Sequence, residues 1–285
     1  MEVARLGSTD LEISRHGFGA ARVGSAPLGR TESLLRSLLD LGITFIDTAD
    51  CYARSEEIIG RCLADGIGEF VIATKCGCIT GGERGEAYSR PIIERSIDRS
   101  LQRLGLERLD LVFLHTCSAE ILRAGEAAEA LLRARDAGKV RCTGYSGDGE
   151  DAMEAISMGI FDALQVTFSI LSQDALDEVL PAAEAAGMGV VAKRPIANAR
   201  LLPEDSPQYH GGPYWDRVRS QLTGEGAWDD PLECALRFTL SHPVITSAIV
   251  GTTDPAHARE NARRAQAGPL SPRLLEALHQ LRPGD

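Results

Sequence analysis

The sequence lacks the features that would direct a protein to a membrane, to the secretory pathway or to nucleic acid. No apolar run approaches the roughly 18 residues needed to cross a bilayer. The first ten residues, MEVARLGSTD, lack the long apolar core of a signal peptide. The formal net charge of −11 repels phosphate backbones. We therefore expect a cytoplasmic protein that binds neither membrane nor nucleic acid.

Cysteine pairs with the spacing of a metal motif are also missing. The seven cysteines are an odd number without a repeated C-x₂-C pair, which indicates reduced thiols. Cys76 and Cys78 are too close together for the usual zinc spacing, so the sequence predicts no metal site. A phosphate loop of the form G-x-G-x-x-G is absent too, because the glycines of HGFGAARVG have another spacing. This counts against an open dinucleotide-binding sheet.

The sequence does contain eight apolar segments of strand length. They are continuous rather than alternating, which is typical of strands covered on both faces. The predicted strands are His16–Ala20, Thr44–Thr48, Phe70–Lys75, Asp110–His115, Val140–Ser146, Ala163–Ser169, Gly189–Arg194 and Ile245–Gly251. Helical patterns occupy Thr31–Leu41, Pro91–Leu104, Glu120–Ala137, Asp174–Ala186, Asp230–Leu240, Pro255–Ala265 and Pro272–Leu281.

Regular alternation of strand and helix predicts parallel β/α units, and eight strands favour a closed barrel. The expected fold is therefore an α/β protein of the (β/α)₈ TIM barrel type, with residues 1–285 forming one domain. Residues 1–15 alternate around Gly7-Ser8-Thr9-Asp10 and predict a β-hairpin that caps one end of the barrel. The long irregular stretch at 196–229 predicts a functional loop, with Tyr209, Tyr214, Trp215 and Trp228 as packing anchors or a substrate wall.

Four reactive side chains stand at or just after the ends of neighbouring predicted strands. Asp47 ends the second strand and is followed by Tyr52, Lys75 ends the third, and His115 ends the fourth. In a barrel of this type the chemistry sits where strands end. An ammonium near a phenol is expected to lower the phenol pKa, and Asp47 would hold Lys75 charged. His115 could hydrogen bond a carbonyl oxygen and turn it toward Tyr52. The set suits protonation of an oxygen while hydride reaches the adjacent carbon.

These residues lie in segments that resemble the aldo-keto reductase family over essentially the whole chain. The matching segments, in order, are MEVARLGSTDLEISRHGFGAA, FIDTADCY, VIATK, LDLVFLH, GKVRCTGYS and IVGTTDPAHARENARRA. The resemblance implies a catalytic tetrad of Asp47, Tyr52, Lys75 and His115, with Tyr52 as general acid and base. It also implies metal-free, reversible hydride transfer between a nicotinamide cofactor and a small carbonyl or alcohol.

The resemblance further implies a cofactor site. Its expected residues are Ser146, Gln165, Lys193, Arg194, Asn198, Gly251, Thr252, Thr253, His257, Glu260 and Asn261. The backbone amides and hydroxyls of the Gly251-Thr252-Thr253 turn at a helix start favour an anion, so we expect NADPH rather than NADH. Four positions depart from the family pattern. Gly147 replaces an asparagine that holds the nicotinamide carboxamide in the family, so Asp148 could make that contact instead. Lys193 stands where an aromatic residue often stacks on the nicotinamide. Gly251 and His257 replace the lysine and arginine that bind a 2′-phosphate, with Arg259 as a possible substitute.

Several alternatives stay open at this point. The altered nicotinamide contacts leave room for a nucleotide-sensing regulatory or binding subunit with little turnover. Lys75 could instead be a Schiff-base lysine, and Lys193 and Arg194 could be a solvated pair at the barrel rim. Small Gly77 suggests a roomier substrate site. Four cysteines lie within a few residues of the tetrad, namely Cys51, Cys76, Cys78 and Cys117. They could be small packing residues or redox-sensitive thiols.

Overall fold

A computed structural model describes residues 1–199 and 230–281. Eight parallel strands close into a barrel in chain order, with the last strand pairing with the first. These strands are β3 (His16–Gly19), β4 (Phe45–Asp47), β5 (Val71–Cys76), β6 (Leu109–His115), β7 (Val140–Ser146), β8 (Ala163–Thr167), β9 (Gly189–Lys193) and β10 (Ile245–Val250). The predicted (β/α)₈ barrel is confirmed.

Ten α-helices are described, mostly in the connections between strands. They are α1 (Leu28–Asp40), α2 (Ser55–Cys62), α3 (Arg90–Leu104), α4 (Ala119–Ala124), α5 (Glu126–Asp136), α6 (Gly149–Ser157), α7 (Val179–Ala185), α8 (Pro231–Leu240), α9 (Pro255–Ala265) and α10 (Pro272–His279). Short 3₁₀ turns lie at Val23–Ser25, Ile67–Glu69, Asp174–Leu176 and Ala197–Ala199. Within the described ranges, no helix is both long and apolar enough to cross a bilayer.

The predicted helix at Glu120–Ala137 is wrong in one respect, because it is two helices. Gly125 separates α4 from α5 with a left-handed φ of 82°. That conformation costs glycine little but is strained for most other residues. Helix α6 has only three buried residues, all small or aliphatic, and the apolar pattern of the sequence did not reveal it.

An N-terminal hairpin closes the end of the barrel at which the strands begin. Strands β1 (Val3–Arg5) and β2 (Glu12–Ser14) pair antiparallel, as the sequence predicts. Gly7, in the turn with φ 55°, lies so close to the backbone of Gly189 that a Cβ would be 2.3 Å from its nitrogen. Leu6 and Leu11 from the hairpin are buried against residues inside the barrel. Burial of each such side chain stabilises the fold by about 1.5–3 kcal/mol.

Two hydrophobic layers result, one between strands and helices and one inside the barrel. Interior residues such as Phe45, Ala73 and Phe113 belong to the second layer. Because side chains alternate along a strand, the residue two positions later also faces inward. This places the side chains at the carboxyl ends of the strands in a common layer at the open mouth. Residues 200–229, which hold most of the predicted long loop and its aromatic residues, lie outside the described ranges.

Candidate active site

Asp47, Lys75 and His115 reach the same layer because each lies two residues after an interior residue. Asp47 follows Phe45, Lys75 follows Ala73, and His115 follows Phe113. The three strands are neighbours, paired in order from β4 to β6. The structure thus brings together three of the four residues that the sequence singled out, and Tyr52 joins them from the loop after β4.

Lys75 forms a buried ion pair with Asp47. Its Nζ donates to Asp47 Oδ1 at 2.6 Å and to the carbonyl oxygen of Thr48 at 2.7 Å. The side chains of Lys75 and Asp47 are only 1% and 5% exposed. A buried ammonium needs such partners, since an unpaired one costs several kcal/mol in this environment. The predicted pairing of the acid with the lysine is present.

Ser146 and Gln165 extend this ion pair across the barrel. Gln165 Nε2 donates to the same Asp47 oxygen at 2.7 Å, and Ser146 Oγ donates to Gln165 Oε1 at 3.0 Å. Both residues were predicted to bind the cofactor, and both lie in the mouth layer. Through these hydrogen bonds, Asp47 links the residues predicted to bind the cofactor to the residues predicted to transfer the proton.

Tyr52 packs against both Lys75 and His115. Lys75 Nζ lies 5.0 Å from the centroid of the phenol ring, and the ring of His115 meets it edge-on at 5.8 Å. The expected net lowering of the phenol pKa is wrong, because burial and a nearby carboxylate outweigh any effect of the Lys75 ammonium. Burial raises the Tyr52 pKa above its ordinary value, and the Asp47 carboxylate raises it further. With Asp47 only 2.6 Å from the ammonium, the phenol lies next to an ion pair rather than a lone cation.

Two thiols also contact the His115 ring. Cys51 Sγ and Cys78 Sγ each lie 3.3 Å from His115 Nδ1. The Cys78 pKa lies below its ordinary value because Cys51 hydrogen bonds to it and His115 is adjacent, and the Cys51 pKa is raised in turn. The sequence placed both cysteines near the tetrad without bringing them together. The topology supplies that step, since their loops follow adjacent strands.

The loop that carries Cys51 and Tyr52 is fastened to α3 through Asp50. Arg99 donates two hydrogen bonds to the Asp50 carboxylate, at 2.5 and 2.7 Å. Arg103 donates to it at 3.0 Å, and Ser96 donates at 2.5 Å. Asp50 itself is 2% exposed. Sequence reasoning missed this anchor, although its arginines stand one helical turn apart on α3.

At two glycine positions beside the site, a neighbouring tyrosine leaves no room for a larger residue. A Cβ on Gly147 would lie 2.4 Å from the Tyr145 hydroxyl, and a Cβ on Gly77 would lie 2.4 Å from the Tyr88 ring. Gly77 also has a left-handed φ of 105°. The roomier site expected from Gly77 is therefore wrong at that position. Gly147, the departure that motivated a regulatory subunit, has a packing explanation.

Lys193 and Arg194 lie at the rim at the end of β9 and are tied to its neighbours. Lys193 Nζ is 3.4 Å from an Asp148 oxygen, and Arg194 donates to Thr167 Oγ1 at 3.2 Å. Asp148 also accepts hydrogen bonds from the amide and hydroxyl of Thr167, at 2.6 and 2.9 Å. Its carboxylate is thus already engaged in this network. Asn198 lies in the next turn with a left-handed φ of 56°.

The predicted cofactor residues between Gly251 and Asn261, here called the adenine-side residues, lie in the turn before α9 and within that helix. Thr252 Oγ1 accepts from the amide of Asp254, and Asp254 caps the helix by accepting from the amide of Ala256. Arg30 from α1, which sequence reasoning did not assign, lies 2.5 Å from the Asp254 carboxylate.

The remaining adenine-side candidates divide between exposed and paired positions. Gly251, His257 and Arg259 are exposed, and Thr253 is partly buried. Glu260 is paired with Arg263 at 2.7 Å. Asn261 is buried and accepts from Arg264 at 3.1 Å. The exposed group leaves its side chains open to a ligand at the helix start, whereas the paired group is engaged within α9.

The chain is similar in sequence and in fold to known proteins. The aldo/keto reductase family model matches residues 17–282. L-galactose dehydrogenase from Arabidopsis thaliana is 28% identical, with 92% of this chain and 87% of that protein covered. NADH-specific methylglyoxal reductase from Escherichia coli is 27% identical, with 92% of each chain covered. The holo form of an aldo-keto reductase from Bacillus halodurans has a TM-score of 0.89 and 25% identity, covering 100% of this chain and 97% of that one.

Proposed function

The chain belongs to the aldo/keto reductase family and is an NAD(P)-dependent oxidoreductase, and from that premise we propose that Tyr52 is its general acid and base. The substrate is a small aldehyde or ketone, or in reverse an alcohol. A bound nicotinamide supplies or accepts the hydride. One observation carries the proposal: the Lys75 ammonium, held by Asp47 at 2.6 Å, lies 5.0 Å from the Tyr52 ring centroid at the barrel mouth.

Each tetrad residue has a task that follows from its contacts. Tyr52 keeps its proton at neutral pH, because its pKa is raised, and donates it to the carbonyl oxygen during reduction. Lys75, beside the ring, stabilises the phenolate that remains. Asp47 fixes the ammonium through a short ion pair. His115 has its Nδ1 turned to the two thiols, which leaves Nε2 to orient the carbonyl oxygen.

Replacement of Tyr52 by phenylalanine tests the proton-transfer role. General acid–base groups contribute typically about 10²–10⁴-fold, so we expect kcat for Tyr52→Phe to fall by that range. The dissociation constant for the nicotinamide cofactor, measured by quenching of protein fluorescence, should stay within about twofold of wild type. The lost hydroxyl is not assigned to the cofactor. Turnover that survives this substitution would rule out Tyr52 as the acid and leave the family assignment intact.

The mouth residues fit a nicotinamide, and the start of α9 fits an anion. Ser146, Gln165 and Lys193 would hold the nicotinamide half at the carboxyl ends of β7, β8 and β9. The amides of the Gly251–Thr253 turn and the helix start favour phosphate. Arg30, next to the helix cap, adds a cation that could leave Asp254 for a 2′-phosphate. We therefore favour NADPH over NADH.

A pair of titrations tests the cofactor preference. We expect NADPH to bind at least roughly tenfold more tightly than NADH, about 1.4 kcal/mol. Arg30→Ala should remove most of that difference by weakening NADPH alone. Arg36→Ala is the matched control, since Arg36 lies on the same helix and pairs with Glu32. Equal affinities in the wild type would contradict the proposed preference, and tighter binding of NADH would make the protein resemble the NADH-specific relative.

The relatives suggest which carbonyl compounds to try first. They include L-galactose dehydrogenase, D-threo-aldose 1-dehydrogenase from a Pseudomonas species and methylglyoxal reductase. A panel of aldose sugars and small dicarbonyls, assayed in both directions, separates a sugar dehydrogenase from a dicarbonyl reductase by kcat/KM. We also infer a reducing, cytoplasmic location, supported by seven cysteines that are all free thiols.

A further inference from the structure

Three potential metal ligands meet beside Tyr52 and Lys75, and one of them belongs to the proposed proton-transfer site. They are Cys51 Sγ, Cys78 Sγ and His115 Nδ1, and all three atoms lie within 4.8 Å of one another. Each thiol sulfur is 3.3 Å from the same imidazole nitrogen. Within residues 1–199 and 230–281, this is the one group of three or more such residues close enough to share an ion.

The spacing is close to that of ligands around a tetrahedral zinc ion. With Zn–S of about 2.3 Å and Zn–N of about 2.0–2.1 Å, sulfur and nitrogen ligands sit about 3.5 Å apart. The observed 3.3 Å separations need only a small outward movement of the thiols. Two thiolates and one imidazole with an open fourth position form a ligand set that zinc uses in proteins.

The three ligands are well supported by the fold. Cys51 follows Asp50, whose carboxylate is fixed by α3. Cys78 follows Gly77, against which the Tyr88 ring packs. His115 ends β6, and its carbonyl oxygen accepts a hydrogen bond from the Tyr88 hydroxyl. One ligand thus stands on a strand end and the other two in loops held by these contacts, so the three groups are positioned before an ion binds.

The site is also accessible and electrostatically permissive. All three ligands are partly exposed, so that an ion can enter from the barrel mouth. Two thiolates would neutralise a divalent cation. The nearby Lys75 ammonium is already paired with Asp47 at 2.6 Å.

We propose that Cys51, Cys78 and His115 form a binding site for one thiophilic divalent cation, such as Zn²⁺. The soft sulfur ligands select such ions over Mg²⁺ and Ca²⁺, which prefer oxygen. The site is distinct from the nicotinamide-binding residues and does not require that the proposed reductase mechanism be correct.

Cobalt titration of the whole, fully reduced and chelator-treated protein tests the site directly. Tetrahedral cobalt with thiolate ligands gives sulfur-to-metal charge-transfer and visible d–d bands that report both stoichiometry and ligand type. We expect these bands to saturate at one Co²⁺ per chain and to be lost when Zn²⁺ displaces it. A saturating excess of Mg²⁺ should leave them unchanged.

Matched cysteine variants identify the ligands. Cys51→Ser and Cys78→Ser should each weaken binding by at least roughly tenfold, the lower bound for disturbing even an outer-shell partner. Cys62→Ala and Cys234→Ala remove buried cysteines outside the cluster and should bind like wild type. Circular dichroism confirms that each variant is folded. Absence of the charge-transfer bands in folded wild type with seven titratable thiols would overturn the proposal. Thiols should also be counted in the protein as purified. If the count is five, rises to seven with reductant, and the reduced protein binds no metal, the proposal is overturned in favour of a Cys51–Cys78 disulfide.

Discussion

At the scale of single residues, the protonation of Tyr52 sets which direction of the proposed reaction is easy. Burial and the Asp47 carboxylate both raise its pKa above the ordinary value of 10.0. The phenol therefore carries its proton across the neutral range, as an acid in carbonyl reduction must. Alcohol oxidation needs the phenolate, and its fraction grows about tenfold per pH unit while the pH stays below the pKa.

We predict opposite pH profiles for the two directions. Reduction should vary little between about pH 6 and 9, whereas kcat/KM for alcohol oxidation should climb throughout that range without a plateau, since a raised pKa lies above it. Asp47→Asn removes a negative neighbour of the phenol and should move the oxidation profile to lower pH. Steady-state kinetics in constant-ionic-strength buffers check both. A plateau in wild-type oxidation below about pH 9 would contradict the raised pKa.

Gly147 gives a second prediction at this scale. Restoring the asparagine of the family pattern would push its Cβ to within 2.4 Å of the Tyr145 hydroxyl, which donates to the Cys117 carbonyl oxygen at 2.5 Å. We expect Gly147→Asn to lower the free energy of unfolding by about 1–3 kcal/mol through overpacking. Gly149→Asn is the matched control, because a Cβ there meets no atom within 4 Å. Asparagine also tolerates its left-handed φ. Equal losses in urea denaturation of the two variants would refute the steric explanation.

Residue types and strand ends were enough to predict that Asp47, Lys75 and His115 converge. Alternation along a strand fixes which side chains face inward once the barrel is assumed. The contacts of Cys78 could not be predicted the same way, because they depend on loops whose paths the sequence does not determine. The phenol pKa was mispredicted for a related reason, since the burial of Tyr52 and its closeness to the Asp47 carboxylate both depend on how the folded chain packs.

At the scale of elements, the loop between β4 and α2 depends on α3 for its position. Asp50 is almost fully buried and receives hydrogen bonds from Arg99, Arg103 and Ser96. We predict that Asp50→Ala lowers the free energy of unfolding by about 3–5 kcal/mol, because the arginines lose their buried counterion. Activity should fall as well, since the displaced loop carries Tyr52.

An exposed ion pair formed by another α3 residue provides the control for Asp50→Ala. Asp98 lies 2.5 Å from Lys139, with both side chains about half exposed. Such surface pairs contribute roughly 0–1 kcal/mol, so Asp98→Ala should change unfolding little and activity not at all. Urea denaturation and steady-state kinetics on both variants give the comparison. A loss for Asp50→Ala below about 1 kcal/mol would mean that the loop is held by other contacts.

Elements with strong apolar patterns were predictable, and weakly patterned ones were not. The strand at Val140–Ser146 was predicted with its observed ends because it is buried along most of its length. The join between α4 and α5 was missed because helical periodicity continues through Gly125, and only its left-handed φ reveals the break. Local propensity does not decide between a glycine inside a helix and one that ends it.

At the scale of the whole molecule, closure of the barrel requires His16 to be buried in the first barrel strand. His16 is 2% exposed, and its Nδ1 lies 3.2 Å from the Ala248 carbonyl oxygen across the seam between β3 and β10. Burial lowers its pKa from 6.5 to about 4. His242, packed between Phe238 and His279, has its pKa lowered to about 4 mainly by burial as well.

A lowered histidine pKa makes the fold sensitive to acid. Between pH 6.5 and about 4 the unfolded chain binds a proton at His16 that the folded chain does not, so stability falls as pH falls. At about 1.4 kcal/mol per pH unit, His16 alone accounts for a loss of about 2 kcal/mol between pH 7 and pH 5. We predict that His16→Asn, although less stable at pH 7, shows a correspondingly flatter dependence of unfolding free energy on pH. His257→Asn, at an exposed position, should keep the wild-type slope. Urea denaturation at pH 5, 6 and 7 measures these slopes. If wild type and His16→Asn lose stability in parallel, the acid sensitivity of the barrel must come from other groups.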